Sequence, residues 1–203
     1  MSFLFMRAMG FILLDCEGGK RADDLYHRLN KYRLRSDVFL SVEESNPVYA
    51  VFGLDTGLYD PRHFKLGWRS FEKPECQEKS FSEWDKERIL LGIPDGSRDM
   101  EIERSTLLEC HIDKYNGIDW DKGCYMGQEL TARMHHRNLG KKHLYTIQSN
   151  NPFPPAFTDI HINGECIGNM RSSCENVGLA LLKDDKAGNL KNGTGTDSFR
   201  ILG

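Results

Sequence analysis

Gly10 to Cys16 (G-F-I-L-L-D-C) is the first patterned stretch of the chain, a compact apolar run of strand length. From Lys20 to Leu34 the apolar positions Leu25, Tyr26, Leu29, Tyr32 and Leu34 recur among charges, which predicts an amphipathic helix. Ser36 to Val42 alternates through Val38, Leu40 and Val42 as a strand, and Pro47 to Phe52 reads as a second one. The resulting β-α-β-β order allows antiparallel pairing and predicts part of an α+β sandwich. Thr56 to Glu78 is rich in turn formers and charge, so it reads as a long connection with one short strand near Trp68. Ser82 to Leu91 predicts a helix, opened by an N-cap serine, carrying Trp84, Ile89 and Leu90 on its apolar face, and stopped at Gly92-Ile-Pro94.

Beyond Lys141 the pattern shortens to apolar runs at Leu144 to Ile147, Ile160 to Ile162, Cys166 to Met170 and Val177 to Leu182, separated by Pro, Asn and Gly. Asn163-Gly164 is a two-residue hairpin signal, which predicts a β-hairpin over Thr158 to Arg171. Lys186 to Asp197, rich in Gly, Asn and Thr, reads as a loop. The boundary falls near Gly140, giving an α+β domain over 1–140 and a small β-barrel domain over 141–203.

Composition narrows the classes. The chain has 203 residues, 39% hydrophobic and 28% charged, with a mean hydropathy of -0.54, values of a globular protein able to bury its own core. A net charge of -3 gives no global attraction to nucleic acid or anionic lipid. The six cysteines are scattered, with no C-x-x-C pair, which argues against a structural metal site and for reduced thiols. The start M-S-F-L-F-M-R-A-M-G does not read as a signal peptide, and no membrane span is expected.

The chemistry concentrates in N-G-I-D-W-D-K-G-C-Y-M-G-Q-E-L-T-A-R-M-H-H-R, Asn116 to Arg137. Turn residues lead into a helix with Leu130 and Met134 on one face and Glu129 paired to Arg133 at i,i+4. Cys124 is therefore placed at a helix mouth beside Lys122, where unpaired N–H groups and the ammonium favour a thiolate. Gly123 and Gly127 leave bare backbone beside it for close approach, and Gln128 and Glu129 offer hydrogen bonds. The alternative is a glycine-rich loop whose cysteine is a small buried side chain.

K-G-C-Y-M-G-Q-E (Lys122 to Glu129) resembles the signature of the YgfZ family, related to the aminomethyltransferase T-protein of glycine cleavage. Further blocks match in the same order: Tyr32 to Arg35 (Y-R-L-R), Arg88 to Asp99 (R-I-L-L-G-I-P-D-G-S-R-D), Leu107 to Glu109, Asn116 to Trp120, Gly127 to Arg133 and Gly178 to Leu182. The resemblance implies a ring-like α+β protein with a ferredoxin-like portion and a C-terminal β-barrel, binding tetrahydrofolate. It also implies a largely non-catalytic role in assembly or repair of iron-sulfur clusters in [4Fe-4S] proteins, including radical enzymes that modify tRNA. Cys124 is then the key thiol, with a transient [4Fe-4S] cluster as its cargo. Glu109, Trp120, Lys122, Gly123, Tyr125, Gly127, Gln128, Glu129 and Arg133 become the ligand-binding candidates, and Glu109 can equally be a capping or surface glutamate. The expected partners are iron-sulfur assembly proteins and client enzymes, in the cytoplasm of a bacterium or the mitochondrial matrix of a eukaryote.

There are two departures from the family pattern. The family's opening G-x-D-A-x-x-F-L-Q block has no counterpart, so the N-terminal part of the fold is expected to be missing. Leu90 stands where the aminomethyltransferase branch places a folate-contacting acid. An aminomethyltransferase of glycine-cleavage type is therefore the second reading. A tRNA-contacting module built on Arg133, His135, His136, Arg137, Lys141, Lys142 and His143 is the third, although these cations equally suit a solvated helix end. Cys110-His111 with Cys124 forms a weak metal-site pattern, and Trp68, Trp84 and Trp120 are candidates to stack on a pterin.

Overall fold

β1 (Leu4–Ala8) and β2 (Phe11–Asp15) form an antiparallel hairpin, with Leu4 opposite Asp15 and Ala8 opposite Phe11. The apolar run expected from Gly10 is the second arm of that hairpin. The computed structural model describes residues 4–8, 11–43, 47–137, 139–191 and 199–202, so Gly10 lies outside the described residues. Contacts divide the chain into two units, Met1–Cys76 and Gln77–Gly203, and each is described by itself.

In the first unit α1 (Lys20–Arg33) is the helix expected there, but it has no buried residue. Leu25 and Tyr26 are half-buried, whereas Tyr32 is 58% and Leu34 83% exposed, so only the first half of the apolar side is partly covered. Ser36 to Val42, expected as a strand, forms none. Its backbone folds back instead: Ser36 N–H donates to the Arg33 carbonyl, Val38 N–H to the Ser36 carbonyl, and the Arg33 guanidinium to the Val38 carbonyl at 2.9 Å. Alternation states which face would be buried, while a strand also needs a neighbour to complete its ladder.

β3 (Tyr49–Val51), β4 (Leu58–Tyr59) and β5 (Trp68–Ser70) make an antiparallel sheet in the order β3-β5-β4. The stretch expected to hold one short strand near Trp68 thus holds two, with a 3-10 turn at Phe64–Leu66 between them. Buried Asp60 takes the Arg62 guanidinium through both oxygens, at 2.9 and 2.6 Å. Burial alone would raise that carboxyl, and Arg62 with Arg69 outweighs it and holds the group below its ordinary value. Arg69 of β5 also pairs with Asp15, which ties the hairpin to the sheet.

The second unit is built on a five-stranded antiparallel sheet in the order β10-β6-β9-β8-β7, from β6 (Lys142–Gln148), β7 (Asp159–Ile162), β8 (Glu165–Cys174), β9 (Val177–Lys183) and β10 (Arg200–Ile201). Together with the helices it makes the chain the α+β fold expected. Asn163 and Gly164 turn the β7–β8 hairpin with φ of 52° and 79°, the left-handed pair that a two-residue turn requires. β9 is apolar on both faces because both are covered. Ala180 and Leu182 join Ile147, Ile160 and Met170 on one side, and Val177 and Leu179 meet Ile89 and Leu144 on the other.

Ile89 belongs to α2 (Phe81–Leu90), which starts one residue earlier than expected. Its N-cap is Ser80, not Ser82, because Glu83 reaches back to accept from Ser80 N–H at 3.1 Å, half of a capping box. Leu90, expected on the apolar face, is 42% exposed, and Arg88 takes the inward position. After Gly92 the short helix α3 (Gly96–Asp99) follows, then α4 (Gln128–Arg137), and α5 (Asp184–Lys191) comes after β9. α5 corrects the loop expected from Lys186; residues 192–197 of that expectation lie outside the described residues. Ala187 and Leu190 of α5 anchor it in the first apolar cluster.

Between α2 and β8 lies a buried charge knot. Arg88 donates to Asp85 (2.7 Å), Asp99 (2.6 Å), the Ile93 carbonyl (3.1 Å) and Ser172 Oγ (2.7 Å), and both Arg88 and Asp99 are fully buried. The register of β8 slips between Met170 and Ser173, and the Ser172 N–H freed there donates to Asp99 at 2.9 Å. Arg98 closes the outside of the knot on Asp85 at 2.7 and 2.8 Å. Burial would raise the Asp85 carboxyl, but Arg98 and Arg88 prevail and lower it. The block R-I-L-L-G-I-P-D-G-S-R-D is thus largely a folding device.

Candidate functional site: an exposed thiol loop

α4 begins at Gln128, so Cys124 stands four positions before the first helical residue, not at the helix mouth. The chain reaches the helix through Gly127, whose φ of +87° suits glycine. The Gly127 carbonyl accepts from both Thr131 N–H (3.2 Å) and Thr131 Oγ1 (3.1 Å), and Thr131 is the buried residue of α4. Gln128 N–H is taken by the Tyr125 carbonyl at 3.2 Å.

The loop itself faces solvent. Cys124 and Cys76 are the exposed cysteines, whereas Cys110 is buried and burial pushes its thiol up to about 11. Lys122 sets its ammonium 4.5 Å from the centre of the Tyr125 ring. Met126 is 76% exposed. A Cβ built on Gly123 meets nothing within 4 Å, and its φ lies outside the left-handed range. Neither backbone conformation nor internal packing therefore requires glycine beside Cys124.

Trp120, at the start of the loop, lies against His135 near the far end of α4, ring centres 4.1 Å apart at 29°. One face of the indole is thus occupied. Glu129 and Arg133 form the expected i,i+4 pair on the exposed side of the helix. Leu130, expected to share a face with Met134, is 58% exposed. Trp120, Lys122, Gly123, Cys124, Tyr125, Gly127, Gln128, Glu129 and Arg133 are therefore brought together on one loop and helix.

Glu109 stands apart from them. Its carboxylate accepts from Thr106 Oγ1 at 2.9 Å, comes within 3.9 Å of Lys142 Nζ, and is largely buried, while its backbone carbonyl accepts from Leu144 N–H. That is a capping role, and it leaves the carboxylate turned inward. Among the described residues, Glu109 is engaged by Thr106 and Lys142 while the loop residues around Cys124 face solvent, so the two do not line one site.

His111, on the other side of Cys110, stacks parallel on His143 at 5.1 Å, and His143 Nδ1 meets the Asp184 carboxylate at 2.9 Å. Burial, helped by Lys114 and His143, pulls His111 down to about 4. Among the described residues no group of three or more His, Cys, Asp or Glu could hold a metal ion, so Cys110, His111 and Cys124 do not gather as ligands. The basic cluster is largely engaged internally: Arg133 with Glu129, His135 with Trp120, Lys142 with Glu109 and His143 with Asp184. Among the described residues no helix is long and apolar enough to cross a membrane.

Sequence reasoning missed the roles of Arg88 and Thr131, and it gave His135 a place in the basic cluster without its stack on Trp120. The signal for Arg88 was an arginine four residues after Trp84 and next to Ile89, on the side of the helix that must face inward. Thr131 carried the signal of a β-branched residue four after a glycine carbonyl.

Comparison with known proteins agrees with the motif. Residues 141–196 match the family described as CAF17, C-terminal beta-barrel domain. The chain is 36% identical over 139 residues to the mitochondrial iron-sulfur cluster assembly factor IBA57 of Homo sapiens, covering 63% of this chain and 39% of that protein. Its counterpart in Mus musculus is 29% identical over 203 residues, covering 85% and 56%. A homolog in Coccidioides immitis is 40% identical over 79 residues, covering 39% and 19%. The chain thus spans about half or less of the length of these relatives. These matches are to proteins named as iron-sulfur cluster assembly factors, and they agree with the likeness to the YgfZ-type family carried by the intact K-G-C-Y-M-G-Q-E block.

Proposed function

We propose that the chain acts in iron-sulfur cluster assembly by presenting Cys124 to a cluster, which is its cargo, during transfer to [4Fe-4S] proteins. The observation that carries this reading is an exposed thiol inside the intact motif, next to a glycine that the fold itself does not require. A thiolate can supply one ligand to an iron at the edge of a cluster, its proton passing to solvent. It can be displaced when the thiolates of a client take over. The bare backbone at Gly123 lets a bulky inorganic group or a partner chain come close to the sulfur.

The relatives are named as mitochondrial proteins, and the matrix is the compartment proposed for this chain. Radical enzymes that modify tRNA are the finer client class that the family resemblance suggests. Aminomethyl transfer is not favoured, because Leu90 supplies no carboxylate and Glu109 is engaged with Thr106. Tetrahydrofolate is a separate proposal, tested by calorimetric titration of the purified chain.

Complementation tests the thiol role. In cells lacking the endogenous protein, the wild-type chain is expected to restore [4Fe-4S] enzyme activity and Cys124→Ser is not. Equal restoration by both would sink it.

A further inference from the structure

The loop Trp120–Gly127 is closed onto α4 at its two ends, and the closures differ in kind; at the Gly127 end Gln128 N–H also donates to the Tyr125 carbonyl. At the Gly127 end the double hydrogen bond to buried Thr131 is internal and fixed. At the Trp120 end the closure is a ring stack on His135, seven residues along the helix, or about 10 Å at 1.5 Å per residue. Both rings of that stack meet solvent; Trp120 is 39% exposed, and His136 flanks His135 edge-on at 5.3 Å. Inside the loop, the Asp119 carboxylate accepting from Asp121 N–H and the Lys122–Tyr125 contact are local, and neither ties the loop to the helix.

We propose that the Trp120–His135 stack is a releasable clasp that holds the Cys124 loop along α4, so that Trp120 and His135 are positioning residues for the thiol. This rests on the reading of Cys124 as the working group and adds how its presentation is controlled. With the clasp shut, the loop is pinned at both ends and the sulfur is offered in one orientation. With it open, only the Thr131 end holds and the thiol sweeps a wider range.

Site-resolved alkylation of the full chain by iodoacetamide, followed by mass spectrometry, tests this, with exposed Cys76 of the other unit as internal reference. Trp120→Ala and His135→Ala are expected to raise the Cys124-to-Cys76 rate ratio by roughly two- to tenfold, the population an aromatic contact of this kind can hold. His135→Phe, which keeps a ring to stack, is expected to return the ratio to the wild-type value. Buried Cys110 staying unreacted shows that the fold persists. An unchanged ratio in both alanine variants overturns the clasp, and so does a rise that His135→Phe does not reverse. Failure of the thiol reading is seen separately, as a Cys124→Ser variant that still matures clients.

Discussion

Two blocks of the second unit carry the family likeness, Arg88 to Asp99 and Lys122 to Glu129, and they use their polar residues in opposite ways. In the first, Arg88 and Asp99 are sealed from water and each nitrogen of the guanidinium has a partner inside the fold. In the second, Lys122, Gly123 and Cys124 all face solvent, and the contacts among them are few. A shared motif is therefore not by itself a functional site. What separates the two is whether the fold consumes the chemistry of the block or leaves it unspent.

The largest expected effect lies in the knot. Arg88→Ala leaves Asp99 and Asp85 buried without their shared cation, and is expected to lower stability by about 3–5 kcal/mol, read by urea unfolding. Loss below about 1 kcal/mol would mean that the knot is ornamental.

Acid probes the same unit through His111. Its folded value of about 4 lies below the unfolded 6.5, so the stability of its neutral state is fully present above pH 6.5 and is lost as pH falls toward 4. Unfolding midpoints should decline across that window. His111→Asn should flatten the decline, since asparagine also accepts the left-handed φ of 55° found there. The lowered Asp85 carboxyl gives way only further down, as pH passes below its ordinary value of 3.8.

Glycine substitutions contrast the sheet with the loop. Gly168→Ala should destabilise clearly, because its Cβ would run into the Leu181 carbonyl across the β8–β9 ladder. Gly123→Ala should change stability by less than about 0.5 kcal/mol while weakening client maturation. Unimpaired maturation in Gly123→Ala would remove the argument that this glycine serves an approaching partner.

Local signals proved sufficient where each element found a partner nearby. Asn163-Gly164 set the β7–β8 hairpin, and the runs at Leu144, Cys166 and Val177 became β6, β8 and β9 because each has a neighbour in the sheet. Ser36 to Val42 had the same alternation without a neighbour, and its backbone turned on itself. Arg88 was legible as helical but not as core, since burial of an arginine depends on Asp99 and Ser172, 11 and 84 residues away. The motif loop was legible as a string of residues. Its exposure, and the Trp120–His135 closure across 15 positions, depend on tertiary placement that no local pattern encodes.

The proposed role requires that Cys124 work outside the fold. Urea unfolding of Cys124→Ser beside the wild-type chain tests that most directly. The expected result is the same midpoint and slope, a difference within about 0.5 kcal/mol. A loss above about 1 kcal/mol would contradict it, because the sulfur would then be part of the structure and not a group held out for cargo.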